Sequence, residues 1–186
     1  MPRKKASQTL KIVFRKPLHW KGHFMYSSLS LKQQEFLFVL YQMLRDAPLS
    51  AHGRYRTFET AAVDLQPWHI DSISVKALEQ LVINRNAKGL RRGHRMARKA
   101  RADHMFDEAT SMTQYEMLSY FYKNDVVTII TSEENAHDGD AHWSASIPVP
   151  PDRLKGGSYS LYATVTDVAW AVQALADYSA SQVQES

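Results

Sequence analysis

Residues 81–100 read LVINRNAKGLRRGHRMARKA, and this stretch predicts the fold of the chain. No acidic residue lies between Gln80 and Ala102, although the segment carries eight cations: Arg85, Lys88, Arg91, Arg92, Arg95, Arg98, Lys99 and Arg101. Apolar β-formers at its start are followed by a turn at residues 86–89, a short second strand and a run of helix formers. The pattern predicts strand, turn, strand and helix, with Gly93 where the helix begins.

A glycine at a helix start can hold an anion. Gly93 lacks a Cβ, so a phosphate can approach its backbone, and the first amide groups of a helix have no intrahelical acceptor. His94 and Arg95 would add side-chain donors, and we predict a phosphate site made of Gly93, His94, Arg95, Arg92 and Arg98. Four further cations of the run are predicted to contact nucleic acid: Lys88, Arg91, Lys99 and Arg101. A solvated basic helix face is the alternative interpretation.

Composition limits the class of protein. The chain has 186 residues, a hydrophobic fraction of 44% and a formal net charge of +4, which predict one globular domain with a mild preference for polyanions. The absence of cysteine excludes a disulfide framework, thiolate catalysis and zinc sites built on cysteine. No apolar run is long enough to cross a bilayer, and residues after Met1 are too polar for a signal peptide. We therefore expect a cytoplasmic protein.

The order of elements predicts an α/β or α+β layer fold with a mixed sheet. Residues 1–9 would form a flexible basic arm, residues 10–178 one domain and residues 179–186 a polar tail. Helices are predicted to begin at three capping residues and at a final aspartate: Ser30, Ser74, Thr113 and Asp167. A further helix is expected over Arg95–Met105. Outside residues 81–100, strands are predicted at five segments, of which the second is ambiguous: 10–14, 55–65, 126–131, 143–149 and 159–165. Residues 51–54 are expected to be loop, and a helix-to-strand switch is expected near Gln80.

The segment Leu81–Arg85, followed by Gly93-His94-Arg95-Met-Ala-Arg-Lys-Ala, resembles the ParB/sulfiredoxin superfamily. The recurring unit of that family is a hydrophobic strand ending in Asn-Arg, a turn, and Gly-His-Arg opening a helix. The stretch from Val63 to Ile70 looks like the leading strand of the family, so the resemblance covers about Val63 to Met105. The sulfiredoxin cysteine is absent, and Arg92 stands where the family often has an acidic or small residue.

The resemblance implies a function on DNA. The family places nucleotide phosphates at the Gly-His-Arg helix start, and some members hydrolyse nucleoside triphosphates or cut DNA. Carried over, this assigns phosphate binding to Gly93, with catalytic roles for His94 and Arg95, and implies ATP and Mg²⁺ as cofactors. Among small members the chain is most similar to plasmid fertility-inhibition proteins, which implies a bacterial protein that inhibits conjugative plasmid or T-DNA transfer at the coupling machinery. A non-enzymatic nucleic-acid-binding or ribonucleoprotein subunit is the rival prediction, and an inhibitor that binds an acidic protein is the third.

Metal ligands are not identified by spacing. Residues 133–142 are rich in carboxylates and histidines, but they lack EF-hand or HExxH spacing and are typical of a polar hairpin loop. If DNA cleavage occurs, carboxylates near Gly93 would have to hold the ion. The four nearest in sequence before it are Glu59, Asp64, Asp71 and Glu79, and the sequence does not decide which of them converge.

Overall fold

The computed structural model describes residues 28–66, 69–107, 109, 111–136, 146–154 and 161–185. Within these residues the helices are α1 Leu31–Arg45, α2 Ala51–Leu65, α3 Val75–Asn84, α4 Arg98–Met105, α5 Gln114–Asn124, α6 Ser132–Ala136 and α7 Val165–Glu185. The strands are β1 His69–Ser74, β2 Leu90–His94, β3 Val126–Thr131 and β4 Ser146–Pro148. The predicted mixed α/β class is confirmed.

The predicted helix starts at Ser30, Ser74 and Thr113 are confirmed. Ser30 and Gln33 form a reciprocal capping box at α1, and Thr113 and Glu116 form a second one at α5. The Ser74 hydroxyl accepts a hydrogen bond from the third residue of α3. Each cap satisfies backbone N–H groups that the first helical turn leaves without a partner.

Helix α2 replaces the loop predicted over residues 51–54 and the strand predicted over residues 55–65. Its start is fixed by Ser50, whose side chain accepts from the backbone N–H of Gly53. Tyr55, Phe58 and Ala62 recur at intervals of three and four residues and are completely buried. The segment therefore buries one helical stripe, which outweighs the β propensity of its individual residues.

Helix α3 continues through residues 81–84, so the predicted helix-to-strand switch near Gln80 is wrong. Leu78 and Leu81 are buried one turn apart in the sheet-side core, and this helical periodicity is what decides the segment. The helix ends at Arg85, which adopts the left-handed conformation with φ of 53°. The residues that resemble a family strand are therefore helical here, and β1 lies at residues 69–74, later than the Val63 start expected for the leading strand.

Gly93 and His94 are the last residues of strand β2, so Gly93 does not open a helix. Strand β2 pairs antiparallel with β3 along its whole length, from Leu90 opposite Thr131 to His94 opposite Val127. Helix α4 begins only at Arg98, three residues later than predicted, and Ala97 provides no side-chain cap. Pairing with the strongly apolar β3 extends β2 through the residues expected to begin the helix.

Strand β3 has the predicted bounds, and β4 is confirmed as a short edge strand. Residues 133–136, expected to be part of a polar loop, belong to the helix α6, Ser132–Ala136. The predicted strand at residues 10–14, the N-terminal arm, residues 137–145, residues 155–160 and the last residue lie outside the described part of the chain.

The C-terminal helix differs from the prediction at both ends. Residues 161–164 are not a strand, and α7 begins at Val165 behind Thr164, whose hydroxyl accepts from the backbone N–H of Asp167. Asp167 in turn accepts from the Thr164 amide. Thr164 is therefore the N-cap, and Asp167 is the third residue of the helix. The helix runs to Glu185, past the start of the polar tail predicted from residue 179, and Val172 is exposed on it.

The four strands form one mixed sheet in the order β2-β3-β1-β4. Strands β1 and β3 are parallel, whereas β2 and β4 run antiparallel to their neighbours at the two edges. No helix in the described ranges is long and apolar enough to cross a bilayer.

Two hydrophobic cores lie on either side of the junction between helices and sheet. Helices α1, α2, α4 and α5 pack around buried aromatic residues that include Tyr41, Phe58 and Phe121. The sheet packs against α3 and α7 through a second set that includes Ile73, Leu81 and Ile129. The two cores are distinct clusters, so the residues at the junction determine how they are joined.

Gly89 and Gly53 provide a matched test of backbone conformation. Gly89 has φ of +82°, and an added Cβ would collide with the Gln80 side-chain amide, which donates to Lys88 O at 3.0 Å. We expect Gly89→Ala to lower the free energy of unfolding by about 1–2 kcal/mol. Gly53→Ala, inside α2 with only ordinary contacts, should raise it by about 0.5 kcal/mol. Urea unfolding of the two variants measures both effects; equal stabilities would contradict the assignment.

Candidate functional site

A buried cluster of charged side chains lies where the helices meet the sheet. Glu59 comes from α2, His94 from the end of β2, and Arg101 from α4, while Asp125 lies between α5 and β3. Glu59, Arg101 and Asp125 are buried, and the His94 side chain is 10% exposed. Four separate segments therefore contribute to one polar cluster.

Arg101 is the centre of this cluster. Its Nη1 donates to Asp125 Oδ1 at 2.6 Å, and its Nη2 lies 3.6 Å from Glu59 Oε1. Its guanidinium carbon lies 5.1 Å from the centroid of the Tyr55 ring, on which the cation can rest. A buried arginine is stable only with such partners, because an unpaired charge in a protein interior is strongly destabilising.

Two further contacts connect the cluster to its neighbours. Arg98 Nε lies 3.1 Å from Glu59 Oε2, and His94 Nδ1 lies 3.4 Å from Asp125 Oδ1. Glu59 is thereby contacted by two guanidinium groups, and Asp125 by one guanidinium and one imidazole. The half-buried Arg92 adds another positive charge near Asp125, and burial lowers the pKa of Arg92 to about 10.

Burial moves the proton affinities of His94 and Asp125 in opposite directions. Burial, assisted by the charges of Arg101, Arg98 and Arg92, lowers the pKa of His94 to about 2. Burial raises the pKa of Asp125 to about 7, although the contact with Arg101 acts the other way. At neutral pH His94 is therefore a neutral imidazole, and Asp125 is the group in the cluster that exchanges a proton.

Glu59, His94 and Asp125 each offer a metal-ligand atom, and these atoms lie within 4.8 Å of one another. Two carboxylates and an imidazole are a reasonable ligand set for a divalent ion. However, the guanidinium group of Arg101 already lies against both carboxylates, and Arg98 contacts Glu59 as well. A divalent ion would add two positive charges beside these cations, so the residues in this arrangement do not fit one.

The residues predicted to bind phosphate do not converge on the Gly93 amide. Arg95 extends from the end of β2 to form an ion pair with Asp71, and its Nη2 lies 3.3 Å from Ser72 Oγ. Arg98 faces Glu59. Because Gly93 is paired within the sheet, the expected nest of unpaired helical amides is not present at this position.

The four cations predicted to contact nucleic acid lie in three different environments. The Arg101 side chain is completely buried, so in this conformation it does not reach the surface. Lys99 is exposed but pairs with Asp103 one helical turn away, with Nζ 2.9 Å from Oδ2. Lys88 and Arg91 are exposed and have no acidic partner among the described residues, and the same is true of Arg85.

Of the four carboxylates considered near Gly93, Glu59 joins the cluster with His94 and Asp71 pairs with Arg95. Asp125, which sequence reasoning missed, follows a capped helix and precedes an apolar strand, and this position is typical of an exposed turn. No local pattern distinguishes it from a solvated turn residue. Its burial results from the docking of α4, which the sequence does not specify.

Glu134, in the stretch considered for metal binding, has a structural role. Its buried carboxylate accepts from the Ser74 hydroxyl at 2.7 Å and from the Thr131 amide at 2.8 Å. These bonds connect α6 to the end of β3 and to the cap of α3. Both contacts use Oε2, so a single carboxylate oxygen of α6 holds the end of β3 and the start of α3 together.

Comparison with protein-family models, with curated proteins and with solved structures gives no match. The resemblance to the ParB/sulfiredoxin superfamily therefore stays a prediction.

Substituting either member of the His94–Asp125 pair should uncover the titration of the other. Near pH 5 each state binds one proton at this pair. The unfolded chain carries it on His94 and the folded chain carries it on Asp125, so the effects of the two pKa shifts on the pH dependence of stability largely cancel. Asp125→Asn leaves the lowered pKa of His94, so stability should rise with pH up to about 6.5, by up to about 1.4 kcal/mol per pH unit relative to wild type.

His94→Gln leaves the raised pKa of Asp125, so stability should fall as pH rises from about 4 to about 7, with a slope of opposite sign. Urea unfolding of wild type and both variants at several pH values between 4.5 and 7 measures the slopes. Slopes of the same sign in the two variants would contradict the opposed shifts.

Arg101 and Arg98 provide a comparison of buried and half-exposed ion pairs. We expect Arg101→Met to lower the free energy of unfolding by about 3–5 kcal/mol, because it leaves buried carboxylates without their main partner. Arg98→Met should cost about 1 kcal/mol or less, since the Arg98 side chain is 39% exposed. Chemical denaturation of both variants at pH 7.5 measures the difference, and equal losses would argue against Arg101 as the centre of the cluster.

Proposed function

We propose that this protein binds nucleic acid through its phosphates, using a basic edge formed by Arg85, Lys88 and Arg91. The observation that supports this proposal most directly is that these three side chains are exposed and have no acidic partner within the described residues. They follow one another from the end of α3, through the turn, to the edge strand β2. A polyanion can therefore contact all three without displacing an existing ion pair.

The remaining cations of the run have partners or are partly enclosed. Arg101 and Arg98 belong to the buried cluster, Arg95 pairs with Asp71, and Lys99 pairs with Asp103. Recruiting them would require breaking these pairs, and for Arg101 it would leave carboxylates buried without compensation. The basic edge is thus the part of the run best suited to a new anionic partner.

The distribution of charge in the sequence supports a polyanionic partner. Residues 1–27 carry seven lysines and arginines and no carboxylate, and residues 85–101 carry eight cations and no carboxylate. The rest of the chain holds eight cations against all nineteen carboxylates. Positive charge concentrated in two segments of an otherwise acidic chain favours an oriented approach to nucleic acid.

We propose that the protein binds nucleic acid, and we do not propose that it catalyses a reaction on it. A histidine with a pKa near 2 is a poor proton shuttle at neutral pH, and Arg95 already neutralises Asp71. ATP hydrolysis, DNA cleavage with Mg²⁺ and inhibition of conjugative transfer follow from the resemblance alone, and they stay predictions. Incubation of labelled DNA with ATP and Mg²⁺ tests them: turnover that is lost in His94→Ala and Arg95→Ala would favour the enzymatic alternative.

Fluorescence anisotropy with a labelled 20-nucleotide single strand and its duplex, measured over a range of salt concentrations, tests the proposal. In the triple variant Arg85→Gln, Lys88→Gln, Arg91→Gln, we expect the magnitude of the slope of log affinity against log salt to fall by about 2.7 on the duplex and about 2.1 on the single strand, since each lost phosphate contact removes about 0.9 or about 0.7. Affinity at low salt should fall at least tenfold.

The matched control removes three exposed cations elsewhere, as Lys32→Gln, Arg56→Gln, Lys76→Gln. Its net charge equals that of the test variant, so a general loss of attraction affects both proteins equally. If both triple variants lose the same affinity and slope, the basic edge is not the binding surface. Circular dichroism and thermal melting establish that both variants fold.

A further inference from the structure

Helix α7 packs one face against the sheet-side core and exposes the other. Ala171 is completely buried, and Val168 and Leu175, near the same side, pack against the same cluster. The cluster also contains Leu78 and Leu81 of α3. The opposite side of this 21-residue helix is therefore exposed from Val165 to Val183.

The outward side of α7 carries an apolar stripe, which we term the α7 seam: Val165, Ala169, Val172, Ala176, Ser179 and Val183. Val165 is 87% exposed, Val172 50% and Val183 76%. The intervals alternate between four and three residues, which is the spacing of a helix–helix seam. The polar Ser179 is compatible with an apolar seam because its hydroxyl already donates to Leu175 O of its own helix at 2.9 Å.

Charge limits what can cover the α7 seam. Helix α7 contains no lysine or arginine, and the exposed Asp177, about 100° around the helix from Ala176, is acidic. A helix that binds nucleic acid or an anionic membrane needs flanking cations, which α7 lacks. A largely neutral apolar surface is suited to an equally neutral protein surface, where no charge has to be desolvated.

The α7 seam is complementary to itself in the antiparallel direction. When residue 172 of one helix lies opposite residue 176 of another, Val165 lies opposite Val183 and Ala169 opposite Ser179. Val172 then lies opposite Ala176, so larger and smaller side chains alternate at the centre, as interdigitated packing requires. We propose that α7 pairs antiparallel with α7 of a second copy of this chain, about a two-fold axis through the middle of the helix.

The size of the α7 seam predicts a weak dimer. A helix of 21 residues is about 30 Å long. Two such helices in contact along their length bury on the order of 1,000 Å², at the lower end of specific interfaces. Dissociation in the micromolar range is therefore expected, with monomer at nanomolar concentration.

Sedimentation velocity of the full chain from 1 to 100 µM tests the dimer. We expect the weight-average sedimentation coefficient to rise from the monomer value toward that of a dimer, and Ala176→Lys to weaken association at least tenfold. Asp177→Lys is the matched control, because its side chain lies about 100° around the helix from residue 176 and should leave association unchanged within threefold. Circular dichroism checks folding, and Ala169→Lys replaces Ala176→Lys if the latter unfolds.

Engineered cysteines test the register, since the chain has no cysteine of its own. A mixture of Val165→Cys and Val183→Cys proteins should form a mixed disulfide dimer under mild oxidation. Val165→Cys alone should not, because the two cysteines would lie about 27 Å apart along an antiparallel pair. Monomer at every concentration, association equally weakened by both lysine variants, or efficient cross-linking of Val165→Cys alone would overturn the proposal.

Discussion

The contact between Arg101 and Asp125 is the interaction on which the arrangement of this molecule depends. It joins the helical core, through α4, to the point where β3 enters the sheet, and Glu59 and His94 extend the connection to α2 and β2. An apolar junction could hold the same elements together, but it would specify their relative position less strictly. A guanidinium group between two carboxylates has few equivalent arrangements, so a buried cluster of this kind defines how the two cores meet.

Placing Arg101 inside the protein also changes what the basic segment can do. Eight cations within residues 85–101 suggest a uniformly basic surface. Four of them, however, are engaged in ion pairs, and only part of the segment faces outward with unneutralised charge. The same residues that stabilise the junction are therefore withdrawn from binding. The surface proposed to contact phosphate is consequently shorter than the sequence suggests, and it lies on a turn and an edge strand in place of a helix face.

The sequence predicted the elements whose signals are local. Capping residues placed the starts of α1, α3 and α5, and the β-branched run at residues 126–131 gave the bounds of β3. It failed where tertiary packing decides. The apolar residues of α2 fit strand and helix alike until they are packed against Phe121, and β2 extends through Gly93 because β3 offers it a complete set of partners. Glu59 was one of four candidate carboxylates, whereas Asp125 had no signal at all, because burial of a turn residue results from the docking of distant elements.

The carboxylate of Glu134 accepts hydrogen bonds from Ser74 and Thr131 on a single oxygen, and Ser74 also caps α3. The first turn of α3, the end of β3 and the short helix α6 therefore share one anchor, although α3 is far from β3 and α6 in the sequence. Such elements open together. A fluctuation that detaches α6 also removes the acceptor that orients the capping hydroxyl of Ser74, so hydrogen exchange at these amides is expected to include a shared cooperative opening, distinct from the fraying of each element alone.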